Sequence, residues 1–331
     1  MKRTTIRLAS RDYDGMAPII RGDVTIPGYE LAVNVDNSVP RVFAALYRGT
    51  VDVSEMSLAE LIYYVSRDEA EFIAIPVFPS RVFRHGHIFC TRGINGPADL
   101  SGRRIGFQRW VQTAAVWMRG MLVEEYGVSP TETQWYVAAT HHWDDDHGEE
   151  IVPRDGSVIR RFTTSSVTGA DSAYRALSAG EVDAMGVTEV QAPALLADPN
   201  ARRLFDDWRA EEMAYYERTR IFPIMHVLAM RRGLVEAHPE LPEALFAAFS
   251  QAKRQAQERM HNLPSWSVAW KDDYIRAERE LFGGDLWPFG LAANQHVLDK
   301  FIGYCYQQGV AARQLEAREL FVPSTCDLNE Q

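Results

Sequence analysis

A short pattern that occurs twice is the feature that most constrains how this 331-residue chain folds. Leu46–Val53 and Leu177–Ala184 each consist of an apolar helix end, a glycine suited to cap it, and the start of a strand. A polar loop follows, which contains Glu55 in the first copy and Thr188 in the second. Two such halves, each with a polar loop at the carboxyl end of a strand, predict two lobes that face one cleft. The alternative is chance similarity at a common kind of helix-to-strand junction.

Strand and helix patterns alternate along the rest of the chain, which indicates an α/β architecture with largely parallel sheets. Apolar alternation predicts strands at Thr4–Ala9 and Tyr29–Val35, and apolar residues at helical spacing predict a helix at Pro40–Arg48. Further predicted elements are a strand at 51–56, a core strand at 72–78, a helix from 112 to a cap at 127, a strand at 221–230, and helices at 239–263 and 291–309.

Two arginines and two histidines follow the predicted core strand within a few residues: Arg81, Arg84, His85 and His87. We expect the strand to end before Pro79. Guanidinium groups pair well with carboxylates, and an imidazole titrates near neutral pH. The segment therefore predicts a site that binds and protonates an anion. The alternative is a set of surface charges that are capped by the backbone.

Charge and motifs exclude several classes of protein. The net charge of −10, with no basic stripe to offset it, argues against nucleic-acid binding. No apolar segment reaches the length of a membrane span. Cys90, Cys305 and Cys326 have no metal-type spacing, and the first residues contain no export signal, so we expect reduced thiols in a cytoplasmic protein. The phosphate-loop, dinucleotide and HExxH motifs are absent, so we expect no cofactor.

Five sequence blocks, in order along the chain, carry a resemblance to a known family. They are DVSEMSL from 52, IPVFPSR from 75 with FRH from 83, IFPIMH from 221, WPFG from 287 with Asn294, and ELFVPST from 319. Together they resemble the 4,5-dihydroxyphthalate decarboxylase family, and the two strand–helix halves resemble the type II periplasmic-binding-protein fold. The resemblance implies a two-lobed α/β fold with a ligand cleft between the lobes. Residues 1–92 with 222–331 would form lobe I, and 93–221 would form lobe II.

The same resemblance implies an enzyme, an aromatic acid decarboxylase of the carboxy-lyase class. Its reaction would be the non-oxidative decarboxylation of a dihydroxylated aromatic dicarboxylic acid, as in 4,5-dihydroxyphthalate to protocatechuate, by protonation of the ring carbon. A small aromatic carboxylate is then the expected partner, and a homo-oligomer the expected assembly. His87 and the run His141–Glu150 depart from the family pattern. The alternative function is a cytosolic binding protein or sensor for an aromatic carboxylate, without catalysis.

Three arginines and the N-terminal end of a predicted helix are the candidates for binding the carboxylates of the substrate. Arg81 and Arg84 suit this role because a guanidinium matches the geometry of a carboxylate, and Arg11 is a third candidate. Gln112 and Thr113 begin a predicted helix, whose N-terminal amides favour an anion. We therefore expect them to bind a carboxylate from the opposite lobe.

The remaining roles concern the proton and the catechol. We expect His85 to donate the proton and His226 to orient the substrate; the alternative is the reverse assignment. Glu55 is the expected catechol acceptor, helped by Ser57 and Asp12; its alternative role is to cap the following helix. For His226 the alternative is a core histidine on an apolar strand. The expected substrate-binding residues are thus Arg81, Arg84, Arg11, Ser57, Asp12, Gln112, Thr113 and Thr188.

A divalent metal is the alternative to a site without cofactor. His85 and His87 would lie on one face if they continued a strand, and with Glu55 or His226 they would supply three ligands. The run His141–Glu150 also contains metal-binding side chains. Its density of charge favours a solvated loop between the lobes.

Overall fold

The computed structural model describes residues 3–139, 151–163, 167, 169, 172–262 and 269–330, so the run His141–Glu150 lies outside the described residues. The described strands are β1 (Thr4–Ser10), β2 (Tyr29–Val35), β3 (Val53–Ser57), β4 (Phe72–Arg81), β5 (Ile88–Thr91), β6 (Arg104–Arg109), β7 (Gln134–Ala139), β8 (Ile159–Arg161), β9 (Ala184–Gly186), β10 (Ala201–Arg203) and β11 (Ile224–Arg231). The described α-helices are α1 (Ala17–Ile20), α2 (Val39–Tyr47), α3 (Leu58–Val65), α4 (Thr113–Tyr126), α5 (Arg175–Ser178), α6 (Ala192–Leu196), α7 (Trp208–Thr219), α8 (Arg232–Ala237), α9 (Leu241–Asn262), α10 (Lys271–Phe282) and α11 (Leu291–Gln307).

These strands form two sheets, as expected for a two-lobed α/β fold. The first sheet has the order β2-β1-β3-β11-β4 and the second has the order β10-β5-β9-β6-β7-β8. Strand β11 is antiparallel to both of its neighbours and returns the chain to the first sheet. Strand β5 begins at Ile88 and already pairs within the second sheet, so the chain enters that sheet before residue 93. None of the helices in the described part of the chain has the length and apolar character needed to cross a membrane.

The repeated sequence pattern corresponds to a repeated structural unit. Arg7 donates to the Asp52 carboxylate from its backbone N–H and from two guanidinium nitrogens, at 2.9, 3.0 and 2.7 Å. Arg104 makes the same three bonds to Asp183, at 2.9, 3.1 and 2.8 Å. The glycines that end the two preceding helices both have positive φ, 65° and 72°. Each sheet therefore contains the same junction between its helix end and its strand start.

Strand β4 is longer than the sequence indicated, and this difference shapes the site. The expectation that it ends before Pro79 is wrong, because β4 continues to Arg81. Pro79 is tolerated because β4 lies at the end of the sheet order, where an N–H is not required on the outer side. Irregular pairing with β11 places Ser80 opposite His226 and Arg81 opposite Ile224. The end of β4 is therefore packed against the first residues of β11.

A continuous apolar core joins the first sheet to α4 and α11. Trp117 of α4 stacks on Phe301 of α11, with 4.9 Å between ring centroids. Its indole N–H donates to the backbone oxygen of Ile224, at 3.0 Å. The N-terminal end of α4, which follows β6 of the second sheet, is thereby fixed against β11 of the first sheet.

Candidate functional site

A cleft of about 540 Å³ lies between the two sheets, where polar residues from the ends of several strands meet. Ser57, Ser80 and His226 line it from the first sheet, and Arg109 and Thr188 line it from the second. Ligands of open α/β sheets bind in a crevice of this kind, outside the carboxyl ends of the strands. The arginines among the described lining residues are Arg11, Arg41, Arg84 and Arg109. Such a lining favours an anionic ligand.

A buried carboxylate holds His226 at the wall of this cleft. Nδ1 of His226 lies 3.1 Å from Oε2 of Glu55, and the imidazole packs edge-on against Phe43. Glu55 is fully buried and accepts two further hydrogen bonds, from the Tyr13 hydroxyl at 2.9 Å and from the Arg11 backbone N–H at 3.0 Å. His226 lines the cleft, whereas Glu55 lies behind it.

The hydrogen bonds define which imidazole nitrogen faces a ligand. Burial, and then the charge of Glu55, raise the pKa of Tyr13 well above its usual value, so its hydroxyl keeps the proton that it donates to Glu55. A carboxylate only accepts hydrogen bonds, so Nδ1 of His226 donates to Glu55 and Nε2 remains for the cleft. Sequence reasoning expected Glu55 to accept the catechol. The structure instead places it where it orients His226.

Arg84 is one of two buried arginines that line the cleft, the other being Arg109. Nη1 of Arg84 lies 3.3 Å from Oε1 of Glu189, which follows β9 of the second sheet. Burial lowers the pKa of Arg84, and the charge of Glu189 opposes that shift. Glu189 is half exposed, and the partial desolvation that remains raises its pKa. The charge of Arg84, the backbone N–H of Glu189 itself and the charges of His87 and His226 outweigh this and lower the pKa to about 2. The pair is therefore ionised at neutral pH and connects the two sides of the cleft.

Arg81 does not reach the cleft. Its guanidinium donates to the backbone oxygens of Phe222 and Pro288, at 3.1 and 2.9 Å, and to the side-chain oxygen of Asn294. Burial lowers its pKa to about 9. Arg81 therefore joins β4 to the segment before α11, and the structure gives it a packing role where sequence reasoning expected a carboxylate ligand. The reason is the extra length of β4: successive residues of a strand face opposite sides, so Ser80 lines the cleft and Arg81 faces away from it.

Two of the predicted histidines also lie outside the cleft. His85 is buried among Tyr126, Phe205 and Tyr215, and burial lowers its pKa from 6.5 to about 3. His87 is partly buried, and burial lowers its pKa to about 4. Both belong to a single 3-10 turn, so the alternation of a strand does not apply to them. The structure therefore places His85 outside the cleft that His226 lines.

The metal ligands considered from sequence are also not assembled. His85, His87, Glu55 and His226 would have to converge, but His85 lies in the aromatic cluster, and of the four only His226 lines the cleft. Within the described ranges, no three His, Cys, Asp or Glu side chains are grouped so that they could hold a metal ion.

The predicted contacts at the start of α4 lie in the cleft. The Thr113 hydroxyl is 2.9 Å from that of Ser57 and accepts from the Ala59 backbone N–H at 3.0 Å, so it joins α4 to β3 and α3. Gln112 and Thr188 also line the cleft. Asp12 does not: its side chain is exposed, and only its backbone N–H contacts a cleft-lining residue, donating to the Asn37 side chain at 3.2 Å.

Three residues at the cleft or behind its wall were not identified from the sequence as site residues. Tyr13 contacts Glu55 and His226, at 2.9 and 3.3 Å between side-chain atoms. Arg109 and Glu189 line the cleft from the second sheet. A signal existed for the last two, because Arg109 ends the strand before the α4 start and Glu189 follows Thr188 in the second polar loop. No local signal linked Tyr13 to residues that are 42 and 213 positions away.

Comparison with known proteins identifies the structural class to which this chain belongs. The family described as "ABC transporter, phosphonate, periplasmic substrate-binding protein" matches residues 12–280. The periplasmic aliphatic sulphonate binding protein SsuA from Escherichia coli superposes with a TM-score of 0.55, at 15% identity, over 97% of this chain and 98% of its own. The chain is thus a two-lobed protein with the fold of periplasmic binding proteins.

Two curated relatives narrow the class. A 4,5-dihydroxyphthalate decarboxylase from Comamonas testosteroni is 34% identical over 99% of both chains. One from Pseudomonas putida is 30% identical over 56% of this chain and 70% of its own. The protein belongs to the 4,5-dihydroxyphthalate decarboxylase family and is a carboxy-lyase, which confirms the resemblance carried by the five sequence blocks.

Proposed function

We propose that the protein converts 4,5-dihydroxyphthalate to protocatechuate and CO₂ without oxidation. The observation that carries this proposal is His226, which Glu55 holds at 3.1 Å on the wall of an arginine-lined cleft. A carboxylate-binding cleft with an oriented imidazole has the two parts that protonation of an aromatic acid requires. The names of the curated relatives supply the substrate.

The reaction replaces one carbon–carbon bond by a carbon–hydrogen bond. Nε2 of protonated His226 transfers its proton to the ring carbon that bears the departing carboxylate. The hydroxyl para to that carbon stabilises the positive charge that the ring acquires. The bond to the carboxylate then breaks, its electron pair restores the aromatic ring, and CO₂ leaves. His226 regains a proton from solvent, so the net reaction consumes one proton.

His226 takes the donor role that sequence reasoning gave to His85. The site of the donor must be open to the ligand, and His226 lines the cleft whereas His85 is enclosed by aromatic rings. The low pKa of His85, about 3, would also leave it without a proton at neutral pH. Glu55 supports the donor because its carboxylate accepts a hydrogen bond from Nδ1 of the same imidazole and so orients the ring.

The arginines serve the carboxylate that stays on the ring. A departing carboxylate loses its charge as it becomes CO₂, so strong ion pairing to it would stabilise the substrate more than the transition state. The retained carboxylate keeps its charge throughout and can bind arginine without this cost. We assign it to Arg84 and Arg109, with the N-terminal end of α4 nearby.

No external electron sink is required for this chemistry, because the hydroxylated ring itself holds the charge. We therefore propose that the enzyme acts without metal or organic cofactor. The decisive experiment incubates EDTA-treated protein with 4,5-dihydroxyphthalate and measures CO₂ and protocatechuate. Formation of both in equal amounts is expected. Turnover that appears only after a divalent metal is added would contradict the cofactor-free proposal.

A binding protein without catalysis is the second candidate, favoured by the fold that this chain has in common with sulphonate-binding proteins. It predicts tight binding of 4,5-dihydroxyphthalate with no CO₂ released. The His226→Asn variant separates the two functions. An enzyme loses rate and keeps affinity in this variant, whereas a binding protein has no rate to lose.

A further inference from the structure

The hydroxyl groups of the proposed substrate need an acceptor that the cleft must supply. Both hydroxyls are hydrogen-bond donors. The arginines and the protonated imidazole are donors as well, so they cannot accept a hydrogen bond from the hydroxyls. Glu55 cannot serve, because it is fully buried and holds His226, Tyr13 and the Arg11 backbone. A donor that is desolvated without an acceptor would weaken binding.

Two of the described cleft-lining residues carry carboxylates, Asp36 and Glu189. Asp36 is already occupied: both of its oxygens accept from the Arg41 guanidinium, at 2.6 and 2.8 Å, and one also accepts from the Ser38 N–H at 2.8 Å. Glu189 contacts Arg84 through one oxygen, at 3.3 Å, and its side chain is half exposed.

On the basis of the proposed function, we infer that Glu189 is a specificity-determining residue that accepts hydrogen bonds from the ring hydroxyls. Its position supports this role in two ways. Glu189 follows β9 of the second sheet, whereas the proton donor His226 belongs to the first sheet. The two are close enough for the charge of His226 to lower the pKa of Glu189. A ring between them would present its reacting carbon to one and its hydroxyls to the other.

The contact with Arg84 has a consequence for ligand choice. In the free protein, Glu189 contacts the arginine that we assign to the retained carboxylate. A ligand carboxylate that binds Arg84 releases Glu189, and a ring hydroxyl provides the donor that Glu189 then lacks. A dicarboxylate without hydroxyls displaces Glu189 but provides no hydrogen-bond donor for its carboxylate. The cleft therefore discriminates between 4,5-dihydroxyphthalate and phthalate.

The test measures the dissociation constants of these two ligands by calorimetry in the His226→Asn background, which removes the proposed proton donor and so prevents turnover during the titration. It compares His226→Asn alone with the double variants that add Glu189→Gln or Asp36→Asn. The expected result is that adding Glu189→Gln weakens the binding of 4,5-dihydroxyphthalate by about tenfold or more, the value of one charge-assisted hydrogen bond. Phthalate should bind with unchanged or greater affinity, because Arg84 loses its competitor. Adding Asp36→Asn, the matched acid, should leave the ratio of the two constants at its value in His226→Asn alone.

Equal changes for both ligands in Glu189→Gln, or a ratio that moves only in Asp36→Asn, would overturn the assignment. Thermal unfolding without ligand shows whether each variant is folded. The measurement needs no turnover. A wild type that binds both ligands and releases no CO₂ would overturn the proposed function, while the ratio of dissociation constants would still decide the role of Glu189.

Discussion

Glu55 and His226 form a diagonal pair on the two adjacent antiparallel strands β3 and β11. His226 lies opposite Ser57 in the register, and Glu55 is two residues before Ser57 on the same face of β3. This geometry brings Oε2 of Glu55 within 3.1 Å of Nδ1 of His226. Two regular strands thus fix the imidazole, so its orientation does not depend on a loop.

This pair predicts unequal effects of two substitutions. His226→Asn should lower kcat by about 10²- to 10⁴-fold, because the proton donor is lost. Glu55→Gln should lower kcat by a smaller factor, about tenfold or more, with KM nearly unchanged, since Gln keeps the shape but not the charge that orients the donor. Steady-state kinetics with 4,5-dihydroxyphthalate measures both, and a Glu55→Gln variant with unchanged kcat would contradict the orienting role of Glu55.

His85→Phe is the matched control for this pair. Phe preserves the aromatic packing with Phe205 and Tyr215, and neither ring nitrogen of His85 has a hydrogen-bond partner to lose. We expect kcat and KM within about twofold of the wild type, the scatter of a neutral substitution. A loss of rate as large as that of His226→Asn would return the donor role to His85.

Substitutions of Arg84 and Arg81 should have different effects, the first on substrate binding and the second on the stability of the fold. Arg84→Gln is expected to raise KM by about 10- to 100-fold, because a charge-assisted contact to the retained carboxylate disappears. Arg81→Met should leave KM unchanged but lower the free energy of unfolding by about 2 kcal/mol or more, because it leaves the backbone oxygen of Phe222 and the side-chain oxygen of Asn294 without this donor. Urea denaturation and initial rates together test both statements.

The retained-carboxylate assignment predicts that the reaction stops after one CO₂. Protocatechuate still has a carboxylate para to a hydroxyl, so its ring is activated in the same way as that of the substrate. It lacks the second carboxylate that Arg84 and Arg109 would hold. We expect catechol formation from protocatechuate to be slower by about 10²-fold or more. Comparable rates for the two acids, measured by released CO₂, would contradict the assignment.

The buried His85 predicts a stability change in acid. Its pKa is about 3 in the folded protein, below the ordinary 6.5, so between these values the unfolded chain binds a proton that the folded protein does not. Stability is therefore lost as pH falls from 6.5 toward 3, by at most about 1.4 kcal/mol per pH unit from this residue. His85→Phe should reduce this loss. Urea midpoints at pH 7.5 and 5.0 measure it, and equal losses in both proteins would refute the effect.

Local patterns in the sequence were sufficient for the architecture. The strand and helix periodicities predicted β1, β2, α2, α4 and α11 to within a few residues, since each depends on which face of a short segment is apolar. The repeated junction marked the two halves before any contact was known, because a glycine cap and an aspartate at a strand start are local features. Arg84 and the start of α4 were also identified, since both follow buried strands.

Only the tertiary structure decided which of these residues line the cleft and which of them pack elsewhere. Arg81 and Arg84 are three residues apart, and His85 follows directly, yet only Arg84 lines the cleft. Sequence does not report how far an edge strand extends past a proline, and in the longer β4 Ser80 faces the cleft while Arg81 faces the other side. Glu55 and His226 are 171 positions apart, so their contact depends on β11 returning between β3 and β4. The sequence determined which side chains were available for the chemistry, and strand register decided which of them meet.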